Sequence, residues 1–93
     1  MIASRLVIRG RVQGVGYRYA MADTAQALGV NGWVRNRRDG TVEAFVQGDA
    51  AAIDAILAWC RQGPPSARVS AIDAMAAEVD SMLDSFEHRQ TEP

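Results

Sequence analysis

No lysine occurs among these 93 residues, and cysteine and histidine occur once each, as Cys60 and His88. Without lysine there is no Walker A loop, which needs a Lys-Ser/Thr pair after its glycines. A single cysteine excludes an internal disulfide and a multi-cysteine metal site. Histidine and acids do not cluster as cation ligands; the acids between positions 73 and 87 are spread singly, as on a solvated face. No apolar run approaches membrane-spanning length, and no basic-then-apolar leader opens the chain. These absences predict a cytoplasmic protein that uses no metal, no cofactor and no membrane.

The length is that of one domain, 1–93, with a two-layer core. A net charge of −1 favours neither nucleic acid nor a membrane surface. Its distribution is uneven. Residues 1–48 hold seven arginines against three acids, whereas residues 49–93 hold three against eight. A small anion would meet its favourable field in the first half.

Residues 4–13 alternate as a strand, with Leu6, Ile8, Gly10 and Val12 facing one way and Arg5, Val7, Arg9 and Arg11 the other. Residues 17–28 carry a helical stripe of Tyr17, Met21, Ala25 and Leu28, ended by Gly29 as a left-handed cap. Two strands follow over 30–37 and 41–47, joined at Asp39-Gly40, where both positions of a hairpin turn tolerate positive φ. Asp49 is placed to cap a second helix over 50–62, with Ile53, Ile56, Leu57 and Cys60 inward and Gly63-Pro64-Pro65 as its stop. Residues 67–79 alternate weakly, Met82 to Arg89 can supply a short last strand, and Gln90 to Pro93 reads as a loose tail. Strand, helix, strand, strand, helix, strand is the order of an α+β ferredoxin-like sandwich: an antiparallel sheet with two helices on one face, here with room for a short extra edge strand.

The chemistry concentrates where the first strand meets the first helix. Gly14 and Gly16 let a loop turn its amide hydrogens inward. The helix start adds unpaired N–H groups and the positive end of a dipole. Arg18, in the first turn, offers a two-pronged donor suited to phosphate oxygens. Taken alone, this pattern fits a phosphate cradle or merely a tight connection carrying a solvated arginine. The glycine spacing does not fit a dinucleotide fingerprint.

A second segment adds specificity. Gly10-Arg11-Val12-Gln13-Gly14-Val15-Gly16-Tyr17-Arg18, then Gly32-Trp33-Val34-Arg35-Asn36 and Asp39-Gly40-Thr41-Val42-Glu43, closely resemble the acylphosphatase family. Val46-Gln47-Gly48, Trp59-Cys60, Gly63-Pro64-Pro65-Ser66-Ala67-Arg68-Val69 and a last-strand segment Phe86-Glu87-His88-Arg89 are similar to it as well. The likeness implies the ferredoxin-like fold and hydrolysis of an acyl phosphate to a carboxylate and inorganic phosphate. It implies that main-chain N–H groups of Gly14, Val15, Gly16, Tyr17 and Arg18 hold the phosphoryl oxygens, that the Arg18 guanidinium neutralises them, and that Asn36 places the attacking water. A monomer acting on a small molecule, with no nucleic acid, is expected. Asn36 before Arg37-Arg38-Asp39-Gly40 would on its own read as a turn former.

Other residues are assigned structural duties. Cys60 reads as buried apolar filler, His88 as a strand residue distant from both motifs, and Trp33 and Phe45 as packing on the sheet. Arg35, Arg37 and Arg38 read as a solvated hairpin end. Gly16 and Tyr17 stand where some relatives carry other residues, and Met75 to Leu83 lacks a clear strand-turn-strand pattern. An RNA-recognition module would share the element order but needs aromatic residues on its two central strands. The first strand offers none and the third only Phe45. A regulatory ligand domain would explain the fold but not Arg18 with Asn36; an anion carrier would keep the site without the catalysis.

Overall fold

The computed structural model describes residues 1–91. The elements are β1 (Ile2–Arg11), α1 (Tyr17–Leu28), β2 (Asn31–Asn36), β3 (Val42–Gly48), α2 (Ala50–Gln62), β4 (Arg68–Ala77) and β5 (Phe86–His88). One five-stranded sheet runs in the order β4-β1-β3-β2-β5. β1 pairs antiparallel with β3 and β4, and β2 antiparallel with β3. This is the expected ferredoxin-like α+β sandwich with its extra edge strand. In one respect the expectation is corrected: β5 pairs parallel to β2, so the sheet is mixed.

Alternation explains the layers. Leu6 and Ile8 of β1, Val34 of β2, and Val42, Ala44 and Val46 of β3 are completely buried and form the sheet's side of the core. Tyr17, Met21 and Ala25 of α1 and Ile53, Ile56 and Cys60 of α2 close it. Leu28 does not join them. It stands exposed at the last helical position, and Ala22 takes the fourth inward place. Leu57 packs against the core from a half-buried position. Gly29 ends α1 in the left-handed conformation as expected, its N–H bonded to the last-turn carbonyls of Ala25 and Gln26. Asp49 holds the position before α2 in extended conformation, but its carboxylate caps no N–H.

The β2–β3 hairpin also differs from the expected two-residue turn. Gly40 alone takes positive φ, at 91°. Gly40 N–H bonds to the Arg37 carbonyl (3.2 Å) and Arg37 N–H to the Thr41 carbonyl (2.9 Å), which makes a three-residue loop with a glycine bulge. Asp39 accepts from both the N–H (3.0 Å) and the hydroxyl (2.6 Å) of Thr41. Those bonds keep Asp39 on the ordinary side of φ.

The sheet face away from the helices is not bare. Glu43 is completely buried there between the guanidiniums of Arg5 and Arg35. Trp33 and Phe45 stack at 6.4 Å, as expected, and Arg35 and Arg89 lie 5.0 and 4.8 Å from the centre of Trp33. Arg35 is therefore part of a paired cluster rather than a solvated hairpin end. Gln47 binds the segment between β4 and β5, accepting from Asp80 N–H at 2.8 Å and donating to its carbonyl at 2.9 Å. That anchoring carries the chain from one edge of the sheet to the other across residues with no strand pattern. Of the expected tail, Gln90 and Thr91 are irregular and exposed, while Glu92 and Pro93 lie outside the described residues.

Candidate active site

The loop between β1 and α1 is shaped by two left-handed glycines, Gly14 at φ 73° and Gly16 at φ 80°. A Cβ at either would meet no atom within 4 Å. Glycine is needed there for backbone conformation, not for space. Gly16 is the cap residue of α1 and brings no side chain to its N–H groups. The first helical bond runs from Ala20 N–H to the Gly16 carbonyl (3.1 Å). The N–H groups of Tyr17, Arg18 and Tyr19 precede it and have no partner inside the helix. No acid occupies the first turn, so nothing there competes with an external anion.

Tyr17 fixes the helix end. Its ring is buried, its hydroxyl donates to the Cys60 carbonyl at 2.7 Å, and its centroid lies 5.3 Å from that of Trp59. Burial pushes the Tyr17 hydroxyl far above its usual range, so it stays protonated. The Cys60 thiol is likewise pushed up, to about 12, mainly by burial. That is the inert filler expected of it.

Gln13 joins the loop to the second motif. Its side-chain nitrogen donates to the carbonyls of Arg37 (2.8 Å) and Thr41 (2.9 Å), the two residues that close the β2–β3 hairpin. Asn36, the last residue of β2, is thereby held beside the loop. Loop, helix start and Asn36 enclose a cavity of about 200 Å³. Gly14, Gly16, Tyr17, Arg18 and Asn36 all line it; Val15 does not, and packs half-buried against the core instead. Any part Val15 plays there is through its backbone.

Two polar groups at this cavity are unused by the fold. The Arg18 guanidinium makes no hydrogen bond or ion pair among the described residues. The Asn36 side-chain oxygen is buried and has no hydrogen-bond partner among the described residues. Leaving such an atom unsatisfied costs about 1–3 kcal/mol, so its position points to a role outside folding. Among the described residues, no group of three or more His, Cys, Asp or Glu could hold a metal ion. A larger cavity of about 280 Å³ between α2 and β4 has only Arg61 as a charged lining residue and no comparable convergence of polar groups.

A model of the acylphosphatase family matches residues 4–88. This chain belongs to the acylphosphatase family. The family hydrolyses acyl phosphates, and its match spans the weakly patterned segment Met75 to Leu83. An acylphosphatase of Anaeromyxobacter dehalogenans is 47% identical over 95% of each chain. One from Acidovorax sp. is 50% identical over 97% of this chain and 92% of its own. The crystal structure of an acylphosphatase from Bacillus subtilis superposes with a TM-score of 0.91 at 31% identity, covering 96% of this chain and 99% of that one.

Three residues near the site had no functional role in the sequence. Gln13 was visible only as part of the glycine motif. Tyr19 lines the cavity, and its signal was simply adjacency to Arg18. His88 is not distant from the motifs: its ring lies 4.5 Å from that of Tyr19. The parallel pairing of β5 beside β2 brings it there, and nothing in the chain's periodicity announces that pairing.

Proposed function

We propose that this family member works by direct attack of a positioned water on the phosphoryl group, without a metal. The loop N–H groups from Gly14 to Arg18 and the Arg18 guanidinium hold the phosphoryl oxygens. The Asn36 amide oxygen accepts a hydrogen bond from water and directs its lone pair at phosphorus. The observation that carries this is the pairing, at one cavity, of a free guanidinium with a buried, unpartnered amide oxygen.

As the water oxygen bonds to phosphorus, the phosphorus–oxygen bond to the acyl group breaks. The carboxylate departs with the electron pair. It is a good leaving group and needs little protonation, so the protein's task is positioning and neutralising the charge of the transferring group. The water's proton passes to a phosphoryl oxygen, since an amide is too weak a base to keep it. The proposal includes a cytoplasmic monomer that takes a small molecule rather than nucleic acid. Against base stacking, the face of Trp33 already carries two guanidiniums.

The test separates the two roles. Asn36→Ala should lower turnover by a factor on the order of 100 or more, as for loss of one well-placed polar group in a transition state. Calorimetric titration should find inorganic phosphate bound with near-normal affinity. Loss of phosphate binding together with turnover would make Asn36 a substrate ligand and reverse the assignment.

A further inference from the structure

The walls of the 200 Å³ cavity differ in what they can offer beyond the phosphoryl group. Val12 and Tyr17 are turned into the core, each 1% exposed. The Gln13 amide nitrogen is committed to two carbonyls, and the glycines have no side chain. Arg18 and Asn36 are polar. Tyr19 alone among the lining residues presents an open aromatic face, and it is 69% exposed.

An exposed aromatic ring is ordinarily free to change rotamer, but this one is supported. Its centroid lies 4.5 Å from the His88 imidazole at an angle of 42°. His88 ends β5 opposite Val34 in the parallel pairing, and the following N–H, of Arg89, bonds to the Val34 carbonyl at 2.9 Å. The imidazole thus sits on a pinned strand and packs against the tyrosine ring at that tilt. A substrate whose phosphoryl group lies in the loop must direct its acyl group out of the mouth, beside this ring.

We propose that the tilted Tyr19–His88 pair is the acyl-group platform of this enzyme, selecting flat aromatic acyl groups over short aliphatic ones. The proposal rests on the acyl phosphate reading of the site and adds the substrate class. A benzoyl group can lie against the tyrosine ring, whereas an acetyl group covers little of it. Tyr19 contacts the substrate; His88 is a positioning residue that acts through it. Because the acyl contact lies away from the reacting phosphorus, it is made equally in ground and transition states and should appear in KM.

The experiment compares kcat/KM for benzoyl phosphate and acetyl phosphate. Tyr19→Ala should lower the benzoyl-to-acetyl ratio roughly three- to tenfold, the range expected for one aromatic stacking contact. The loss should fall on the KM for benzoyl phosphate, with the inhibition constant of inorganic phosphate little changed. His88→Ala should shift the ratio the same way by a smaller factor, and His88→Phe, which keeps a planar support, should restore it. An equal fall for both substrates would make Tyr19 structural and overturn the proposal, as would an unchanged ratio. Failure of the unsubstituted protein to hydrolyse either compound would instead overturn the acyl phosphate reading beneath it.

Discussion

In the proposed mechanism, the choice of cation at Arg18 carries the chemistry. All ten cationic side chains of this protein are arginines, and three of them are committed to carboxylates on the sheet: Arg5 and Arg35 to Glu43, Arg9 to Asp73 at 3.0 Å. Arg18 faces the cavity uncommitted. A planar fork can donate two parallel hydrogen bonds to a phosphoryl group, which an ammonium cannot reproduce. Arg18→Lys should therefore cut kcat/KM at least ~30-fold and weaken competitive inhibition by inorganic phosphate, by analogy with loss of one well-placed charge-assisted donor. Steady-state kinetics checks this, and near-full activity would mean that charge alone suffices. Cys60 gives the opposite expectation. With its thiol pushed up to about 12, almost no thiolate exists at pH 8 in the folded protein. Iodoacetamide should leave native Cys60 unmodified at pH 8 and label it readily in denaturant, as mass spectrometry would show.

The site depends on how two elements meet, and here legibility from sequence is divided. The β1–α1 loop, with left-handed Gly14 and Gly16 before the helix that carries Arg18, could be read from sequence, because glycine spacing and a helix start are local signals. Asn36 gained its proposed role only through family resemblance; as local sequence it precedes a turn. What joins them, the Gln13 side chain bonded to the Arg37 and Thr41 carbonyls, is a contact over more than twenty positions that leaves no periodic trace. The last strand was expected within Met82–Arg89, but its parallel pairing was hidden for the same reason: three residues, Phe86–His88, are too few to show a direction, and Gln47 rather than a turn signal guides the chain there. Gln13→Ala tests the clamp. It should cost about 1 kcal/mol of stability, yet lower turnover roughly tenfold, since small misplacements of catalytic groups are expensive. Urea denaturation beside kinetics separates the two effects. A turnover loss no larger than the fraction unfolded would show that Asn36 needs no such anchoring.

Across the whole molecule, β1, β3 and β2 are tied on the open face by one carboxylate. Glu43 on β3 binds Arg5 on β1 and Arg35 on β2, and it is completely buried. Burial pushes its carboxyl up, but hydrogen bonds and charge from the two arginines outweigh this and hold it below the usual carboxylate value. In the unfolded chain the same group titrates near ~4.3. A lowered pKa in the folded state means that the unfolded chain binds the proton first. Glu43 therefore contributes stability fully above about pH 4.3 and loses it as pH falls toward its lower folded value. Asp39 is displaced in the same direction, chiefly by the Thr41 hydroxyl and N–H, so the two must be told apart by substitution. Glu43→Gln should destabilise by about 1–2 kcal/mol at pH 7, reduced from the cost of a fully buried pair because Arg5 is half exposed. That difference should shrink steadily below pH 4.5, whereas Asp39→Asn should leave most of the acid sensitivity in place. Urea midpoints of the three proteins measured from pH 7 to pH 3 decide it. If Glu43→Gln keeps the same acid slope as the unsubstituted protein, the stability of the central strands does not run through this carboxylate.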